Sequence, residues 1–229
     1  IFRDVQYGAP MLYAEWTSPG PRELVVTSQI KTVDRANVPT DSANADLPVN
    51  APDVRKFLAP TKHIPTDGIV LTTAQEATQG ARGSVEQARA IYDWVVDNSF
   101  RDPKVKGCGR GDIKGMLETG NLGGKCADIN SLFVGLCRAV GIQARENFGI
   151  RVGPSQHFKS LGKIGDVTGA QHCRAEFYAH GLGWVPVDPA DVRKVVLEEK
   201  LELNDPAVQK VREQLFGTWE MNWVEFNNA

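Results

Sequence analysis

The stretch GGKCADINSLFVGLCRAVG, residues 123–141, places a cysteine where a glycine-rich loop becomes a helix. The apolar side chains that follow recur at helical spacing along one stripe, which comprises Cys126, Ile129, Leu132, Phe133, Leu136, Cys137 and Val140. Gly141 is a natural stop for such a helix. The pattern therefore predicts a helix over residues 126–140 with the Cys126 thiol at its N-terminus.

A thiol at that position has a chemical consequence. The first N–H groups of a helix are unpaired and carry about half a positive charge, so a thiolate there is stabilised and its pKa falls below about 8.5. Gly123 and Gly124 leave room for a substrate carbonyl, and the N–H of Cys126 can form half of an oxyanion hole. The alternative is a buried structural cysteine, which is common on an apolar stripe.

A reactive thiol needs a base, and the sequence offers four histidines: His63, His157, His172 and His180. Residues 171–178 and 184–188 read as two strands joined by the short connection around Gly181. In this hairpin Asp188 falls opposite or diagonal to His172, at about 5 Å or 7–8 Å, where a carboxylate can hold an imidazole in one tautomer. The alternatives are a hydrogen-bonded strand histidine and an aspartate that starts a turn.

The remaining pattern indicates an α+β protein. A helix is predicted over residues 84–98, with Ser84 and Gln87 as a capping box, and an alternating strand over residues 143–152. Helices followed by antiparallel strands are typical of the α+β class. At the C-terminal end Asp205 starts a further helix, which is followed by an aromatic segment expected to pack on the core.

The first part of the chain shows less regular patterning. Residues 23–33 are rich in β-formers and predict one or two strands, whereas the proline-rich residues 37–65 predict an extended arm or a flexible linker. We therefore expect two regions: residues 1–80, a β-rich segment with an arm, and residues 81–229, a catalytic domain with a C-terminal helical extension. The start at Ile1 suggests a processed chain and residues 1–80 as the remnant of a larger N-terminal region.

Composition excludes several classes of function. The 229-residue chain is 41% hydrophobic and 24% charged, with a net charge of −2, so no polyanionic partner such as nucleic acid is indicated. No apolar run approaches the roughly 20 residues of a membrane span. The four cysteines are too few for a disulfide scaffold and lack C-x-x-C spacing, so neither a structural zinc site nor any cofactor is expected.

Two motifs carry a family resemblance. GGKCADINSLFVGLCRAVGIQAR resembles the cysteine motif of the transglutaminase-like superfamily, and QHCRAEFYAHGLGWVPVDP resembles its histidine and aspartate motifs. The resemblance covers residues 85–192 and implies a papain-like core in which the Cys126 helix packs on a small antiparallel sheet that carries His172 and Asp188. The family often has an aromatic residue two positions after the histidine. Arg174 stands there in this chain, so we expect a more polar mouth to the site.

The resemblance also implies covalent acyl transfer by Cys126, His172 and Asp188. Many bacterial members are described as candidate cysteine proteases, and many are exported, so we expect a periplasmic or extracellular bacterial enzyme with a peptide or protein substrate. Hydrolysis of a peptide or isopeptide amide is favoured because water is always present. The alternatives are transamidation of protein glutamine, a non-catalytic peptide-binding module, and a metal site formed by the same three residues.

Other side chains receive simpler interpretations. Asn121 is either a second oxyanion donor or a turn residue. Cys137 and Cys173 are expected to be core thiols, whereas Cys108 is left open as free or paired. Glu176 shares a strand face with His172 and either binds substrate or pairs with Arg174.

Overall fold

The computed structural model describes residues 1–5, 8–39 and 52–228. Its centre is a four-stranded antiparallel sheet in the order β10-β6-β7-β8, which packs against helix α5. The strands of this sheet are β6 (Ala144–Arg151), β7 (Gln171–Ala179), β8 (Gly183–Val187) and β10 (Trp223–Asn228). Three short strand pairs join β1 (Phe2–Arg3) to β2 (Pro10–Met11), β3 (Arg35–Ala36) to β9 (Thr218–Trp219), and β4 (Phe100–Arg101) to β5 (Gly123–Gly124).

Helix α5 (Cys126–Ala139) is the predicted cysteine helix, and both of its ends agree with the prediction to within a residue. It ends at Ala139 with Val140 as the C-cap, because Gly141 adopts φ +86°, the left-handed conformation that glycine allows after a helix C-terminus. Its apolar stripe is buried except for Val140, which is partly buried, and Phe133 makes an edge contact with Phe177 of β7 at 6.4 Å between ring centroids. The α+β class and the Cys126 helix on a small antiparallel sheet are thereby confirmed.

The other helices surround α5 and the sheet. They are α1 (Pro52–Arg55), α2 (Gly68–Ala77), α3 (Gly83–Asn98), α4 (Ile113–Thr119), α6 (Pro189–Glu198) and α7 (Pro206–Gln214). Helix α3 was predicted, but its capping box was wrong. The helix begins one residue earlier than expected, and the free N–H of Arg82 donates to Glu86 Oε2 at 2.8 Å. No helix in the described part of the chain is long and apolar enough to cross a membrane.

The predicted hairpin of β7 and β8 forms with Tyr178 opposite Trp184 and Ala175 opposite Val187. Asp188 follows directly as the N-cap of α6, where its Oδ1 accepts the Asp191 N–H at 3.1 Å. On the other side of β7, Phe148 lies opposite Cys173. Since side chains alternate along a strand, this register places Glu146, Phe148 and Cys173 on the face that contacts α5.

The C-terminal end forms strands beyond α7. The predicted helix is confirmed, with Asp205 capping the Ala207 N–H at 2.8 Å, but helix does not continue into the aromatic segment. That segment supplies β9 and β10 because Trp223 packs on Gly149 of β6, where an added Cβ would lie 2.4 Å from the indole ring. The aromatic segment thus extends the sheet.

The N-terminal expectations hold only in part. The strand predicted for residues 23–33 was wrong: no regular structure forms there, and Leu24, Val25 and Val26 are exposed. β-forming residues need a partner strand, and the described residues provide none at this position. Residues 40–51 of the predicted arm lie outside the described residues, but residues 52–58 are helical, with Phe57 buried. The division of the chain near residue 80 stays a prediction.

Candidate active site

The structure brings His172 and Asp188 into contact. His172 lies on β7 and is 4% exposed, and its Nε2 is 2.7 Å from Asp188 Oδ2. The two residues are diagonal across the hairpin, which is one of the two arrangements that the sequence predicts. Because Nε2 faces the carboxylate, Nδ1 is the ring nitrogen left to meet a thiol.

Asn130 fixes this pair from helix α5. Its Nδ2 donates to Asp188 Oδ1 at 3.3 Å and to the Cys173 carbonyl at 2.8 Å, and its Oδ1 accepts the Ala190 N–H at 3.2 Å. One amide therefore ties α5 to β7 and to the start of α6. The sequence analysis missed Asn130, although its position four residues after Cys126 places both on one helix face.

Cys126 is the first residue of α5 and is 3% exposed. Its Sγ lies with those of Cys108 and Cys173 in a cluster whose atoms are all within 4.8 Å of one another, and all three cysteines are free. Cys173 is buried in the hydrophobic core, as predicted, and it also borders the site because its strand face meets the N-terminal end of α5. Cys137 is fully buried in the core, as predicted.

Asp128 holds the loop that delivers Cys108. Its carboxylate accepts the backbone N–H groups of Lys125 at 2.9 Å, Arg110 at 2.8 Å and Gly111 at 2.9 Å. A Cβ added to Gly124 would lie 2.4 Å from the Asp128 side chain, so glycine is required for this approach. The Cys108 carbonyl also accepts the Ala127 N–H at 2.9 Å. The glycine-rich loop before Asp112 is thus a structural partner of the cysteine helix.

The pKa values of the Cys126 thiol and the His172 imidazole shift in opposite directions. The pKa of Cys126 is lowered: a hydrogen bond with Cys108 raises it, as does burial, but hydrogen bonds with Cys173 and His172 and the charge of His172 outweigh both. Burial and the Arg151 charge lower the pKa of His172. Asp191 and Asp188 raise it by a larger amount, so the net shift is upward. Both shifts favour a thiolate beside an imidazolium.

Mutual hydrogen bonds link the pKa values of the three clustered thiols. Hydrogen bonds from Cys126 and Cys173 lower the pKa of Cys108 to about 3, while the same contact with Cys108 raises that of Cys126. The two thiols therefore compete for the charge. We assign it to Cys126, because among the three thiols His172 lowers the pKa of Cys126 alone.

A second carboxylate lies behind the histidine. Asp191 Oδ1 is 3.4 Å from His172 Nε2. Both carboxylate oxygens of Asp191 also accept hydrogen bonds from the buried Arg151 Nη2, Oδ1 at 2.5 Å and Oδ2 at 2.8 Å. The Arg151 charge keeps the pKa of Asp191 far below its usual value despite burial. Burial and the Asp191 charge raise the pKa of Asp188, while His172 lowers it. The sequence analysis did not single out Asp191 or Arg151.

Several predicted roles change. Arg174 does not line a polar mouth: it is 3% exposed, and its guanidinium lies 5.4 Å from the Trp219 ring and 4.9 Å from the Trp223 ring. Glu176 is fully buried in ion pairs with Arg35 and Arg145, not with Arg174. Asn121 Oδ1 accepts the Gly123 N–H at 3.1 Å, which makes it a turn residue.

The alternative of a mixed metal site is not supported by the positions of the donor groups. In the described ranges the convergent donor atoms form two sets, three thiols and the set of His172, Asp188 and Asp191, with no set that mixes Cys126 and Asp188. Beside the thiols a cleft of about 570 Å³ is lined by Cys108, His172 and Cys173 together with residues of β6 and β10. The site therefore combines thiols, an imidazole and two carboxylates next to a cleft.

Comparison with known proteins gives consistent results. A curated protein of Haemophilus influenzae described as uncharacterized is 44% identical over 239 residues, which cover 98% of this chain and 65% of that protein. The chain thus spans just under two thirds of this relative. A candidate cysteine protease from Cytophaga hutchinsonii has a similar structure, with a TM-score of 0.52 and 17% identity over 86% of this chain and 53% of its own. The periplasmic domain of TgpA from Pseudomonas aeruginosa reaches a TM-score of 0.48 at 18% identity, over 71% and 53% of the two chains.

The family assignment rests on a direct match. The model of the transglutaminase-like superfamily matches residues 71–189, more than half of the chain, and this range includes Cys126, His172 and Asp188. The Cytophaga structure supports the same fold. The chain belongs to the transglutaminase-like superfamily.

Proposed function

We propose that this protein is a cysteine-dependent acyl-transfer enzyme that hydrolyses a peptide or isopeptide amide. Cys126 is the nucleophile, His172 the general acid and base, and Asp188 the residue that orients the imidazole. The observation that supports this most strongly is the 2.7 Å contact between His172 Nε2 and an Asp188 carboxylate that Asn130 and the Asp191 N–H hold in place. That geometry leaves Nδ1 for the thiol at the helix N-terminus.

The reaction follows from these positions. The Cys126 thiolate attacks the amide carbonyl, and its own backbone N–H, which has no hydrogen-bond partner among the described residues, donates to the developing oxyanion. The His172 imidazolium protonates the departing amine, so the C–N bond breaks and a thioester remains. His172 then takes a proton from water, whose oxygen attacks the thioester and releases the acid and the Cys126 thiolate.

Two alternatives use the same fold. An amine in place of water would give transamidation, and a non-catalytic module would bind a peptide without cleaving it. Hydrolysis is favoured over transamidation because water reaches any thioester that the site does not shield. The lowered pKa of Cys126 beside a raised pKa of His172 argues against a purely structural thiol. Export to the periplasm or the extracellular space, and a peptide or protein substrate, stay part of this proposal.

The test is the rate of Cys126 alkylation by iodoacetamide against pH, with each cysteine followed by peptide mass spectrometry. Because the pKa of Cys126 is lowered, we expect alkylation well below pH 8. His172→Ala should slow it about tenfold or more at pH 6, since the imidazolium no longer stabilises the thiolate. His157→Ala, an exposed histidine away from the site, is the matched control and should leave the rate unchanged.

The same experiment separates Cys126 from its neighbours. Cys137 should stay unmodified because it is fully buried, and Cys108→Ser should leave Cys126 reactive. If Cys126 shows an ordinary thiol profile, or if His172→Ala behaves like the unmodified protein, the acyl-transfer proposal fails and the peptide-binding module takes its place.

A further inference from the structure

Three thiols from three separate elements converge beside the cleft. Cys108 comes from the glycine-rich loop, Cys126 is the first residue of α5, and Cys173 lies on β7. Their Sγ atoms all lie within 4.8 Å of one another, and none of the three forms a disulfide. Among the described residues, this set of donors contains sulfur alone. Thiolate sulfur is a soft ligand that selects thiophilic cations over Mg²⁺ or Ca²⁺.

The spacing of these sulfur atoms suits a shared metal ion better than a covalent bond. Zinc–thiolate bonds are about 2.3 Å long, so two sulfurs on one tetrahedral zinc ion lie about 3.8 Å apart. The observed limit of 4.8 Å therefore leaves a closure of about 1 Å or less, whereas a disulfide requires sulfurs at about 2 Å. Cys108 can supply this movement, because it lies in a loop and its Sγ makes only a weak contact with the Gln171 carbonyl at 3.7 Å.

The surroundings offset the negative charge that three thiolates bring. Arg101 and Lys125 act on Cys108 as positive charges, and His172 acts on Cys126 in the same way. The N-terminus of α5 adds about half a positive charge beside the Cys126 thiol. A divalent cation with three thiolates carries a net negative charge, so these groups stabilise the metal-bound state.

The cleft provides an entry path and room for a fourth ligand. Cys108 and Cys173 both line it, and a zinc ion with three protein ligands takes water in its fourth position. Glu146 lines the same cleft and is 7% exposed, and its Oε1 has no hydrogen-bond partner among the described residues. Outer-shell acceptors of this kind orient the ligands of metal sites. The unpartnered oxygen is thus a second, independent indication of a ligand in this cleft.

We propose that Cys108, Cys126 and Cys173 form a trithiolate site for Zn²⁺, with water as the fourth ligand and Glu146 as the acceptor for that water. Binding forms three zinc–sulfur bonds, releases the thiol protons to solvent and requires no oxidant. The three thiols lack C-x-x-C spacing because each comes from a different element. The site itself goes beyond the proposed function, and only its consequence rests on that function: a coordinated Cys126 sulfur does not attack a carbonyl, so bound zinc switches acyl transfer off.

The experiment titrates Cd²⁺ into the reduced, metal-free protein. Cd²⁺ has the same closed d shell as Zn²⁺ and a stronger preference for sulfur, and its thiolate bonds absorb in the ultraviolet. We expect the absorption to saturate at one Cd²⁺ per chain. Cys108→Ser and Cys173→Ser should each weaken binding about tenfold or more, since each removes one sulfur ligand. Competition with a chromophoric chelator then gives the affinity for Zn²⁺, which the same two variants should lower.

Two control variants and a protection assay define the ligand set. Cys137→Ala, a buried thiol outside the cluster, should bind as the unmodified protein does. His172→Ala should weaken binding far less than Cys108→Ser, because the imidazole is outside the sulfur set. Bound Cd²⁺ should also protect all three clustered thiols from iodoacetamide, and a chelator should restore their reactivity. Thermal unfolding of each variant verifies that it is folded.

Three results would overturn the trithiolate site. They are unchanged binding in Cys108→Ser or Cys173→Ser, a loss in His172→Ala as large as that in Cys108→Ser, and protection of Cys126 alone. The first and third indicate a cation held by one thiol, and the second indicates a thiol–imidazole site.

Failure of this proposal is distinguishable from failure of the proposed function. The cadmium titration requires no turnover, whereas the alkylation profile is measured on metal-free protein. If alkylation depends on His172 but Cd²⁺ ignores Cys108 and Cys173, only the metal site is wrong. If Cd²⁺ binds the three thiols while Cys126 shows an ordinary thiol profile, the cluster is a metal site on a protein that performs no acyl transfer.

Discussion

Replacing Glu146 with glutamine should change how the stability of this protein depends on pH. Burial raises the pKa of Glu146 from 4.5 to about 7 in the folded state, although a hydrogen bond with Ser131 and the Arg138 charge oppose it. A folded pKa above the unfolded value means that the native state binds the proton more tightly. The stabilisation from this group is therefore complete below about pH 4.5 and is lost as the pH rises through about 7.

The magnitude follows from the shift. One pKa unit corresponds to about 1.4 kcal/mol, so the whole shift is worth about 3 kcal/mol, of which about 2–3 kcal/mol falls between pH 5 and pH 8. Glutamine does not titrate. The free energy of unfolding of Glu146→Gln minus that of the unmodified protein should therefore be about 2–3 kcal/mol larger at pH 8 than at pH 5, so the variant is relatively more stable at pH 8.

Urea unfolding at the two pH values, with reductant to keep the cysteines free, measures this difference. The other titrating groups are common to both proteins and cancel in the comparison. Glu118→Gln, whose carboxylate is exposed, should show the same pH dependence as the unmodified protein. A stability difference for Glu146→Gln that is equal at pH 5 and pH 8 would refute the raised pKa and the account of a buried, poorly partnered carboxyl.

Two further substitutions test the supports of the site. Asp191→Asn leaves Arg151 buried without its ionic partner, so urea unfolding should show that the free energy of unfolding falls by about 3–5 kcal/mol. The control Glu118→Gln should lower it by about 0.5 kcal/mol or less. A decrease for Asp191→Asn no larger than that of the control would contradict the buried ion pair. Asn130→Ala removes the amide that bridges Asp188 and the Cys173 carbonyl, and should cost about 1–3 kcal/mol by the same assay. A cost equal to that of Glu118→Gln would show that the bridge adds no stability.

The parts of the fold that were predictable have local causes. Helix α5 follows from apolar spacing and a terminating glycine. The β7–β8 hairpin follows from alternating side chains around a short connection, so the contact of His172 with Asp188 could be predicted from the sequence. The register of β7 and β8 depends on few residues, because a hairpin turn fixes which side chains face each other. Cys126 at the helix N-terminus follows from the same stretch.

The parts that were missed depend on distant segments. Cys108 reaches the site only because Asp128 binds the loop around it, and Glu146 becomes a cleft residue only through the pairing of β6 with β7. Arg174 was expected at the mouth of the site, but Trp219 and Trp223 of the C-terminal strands pack against its guanidinium group. None of these contacts leaves a periodic signal, since each joins residues that are far apart in sequence.

The pairing of β10 with β6 has a consequence for the order in which the chain acquires its structure during synthesis. All three proposed reacting residues have been made once the ribosome has passed Asp188, yet Trp223 donates to the His172 carbonyl at 3.0 Å and β10 completes the sheet beside β6. A nascent chain therefore contains Cys126, His172 and Asp188 for some 40 residues before the strand that fixes the backbone of His172 has been made. The backbone of His172 therefore gains this support only after Trp223 has been made.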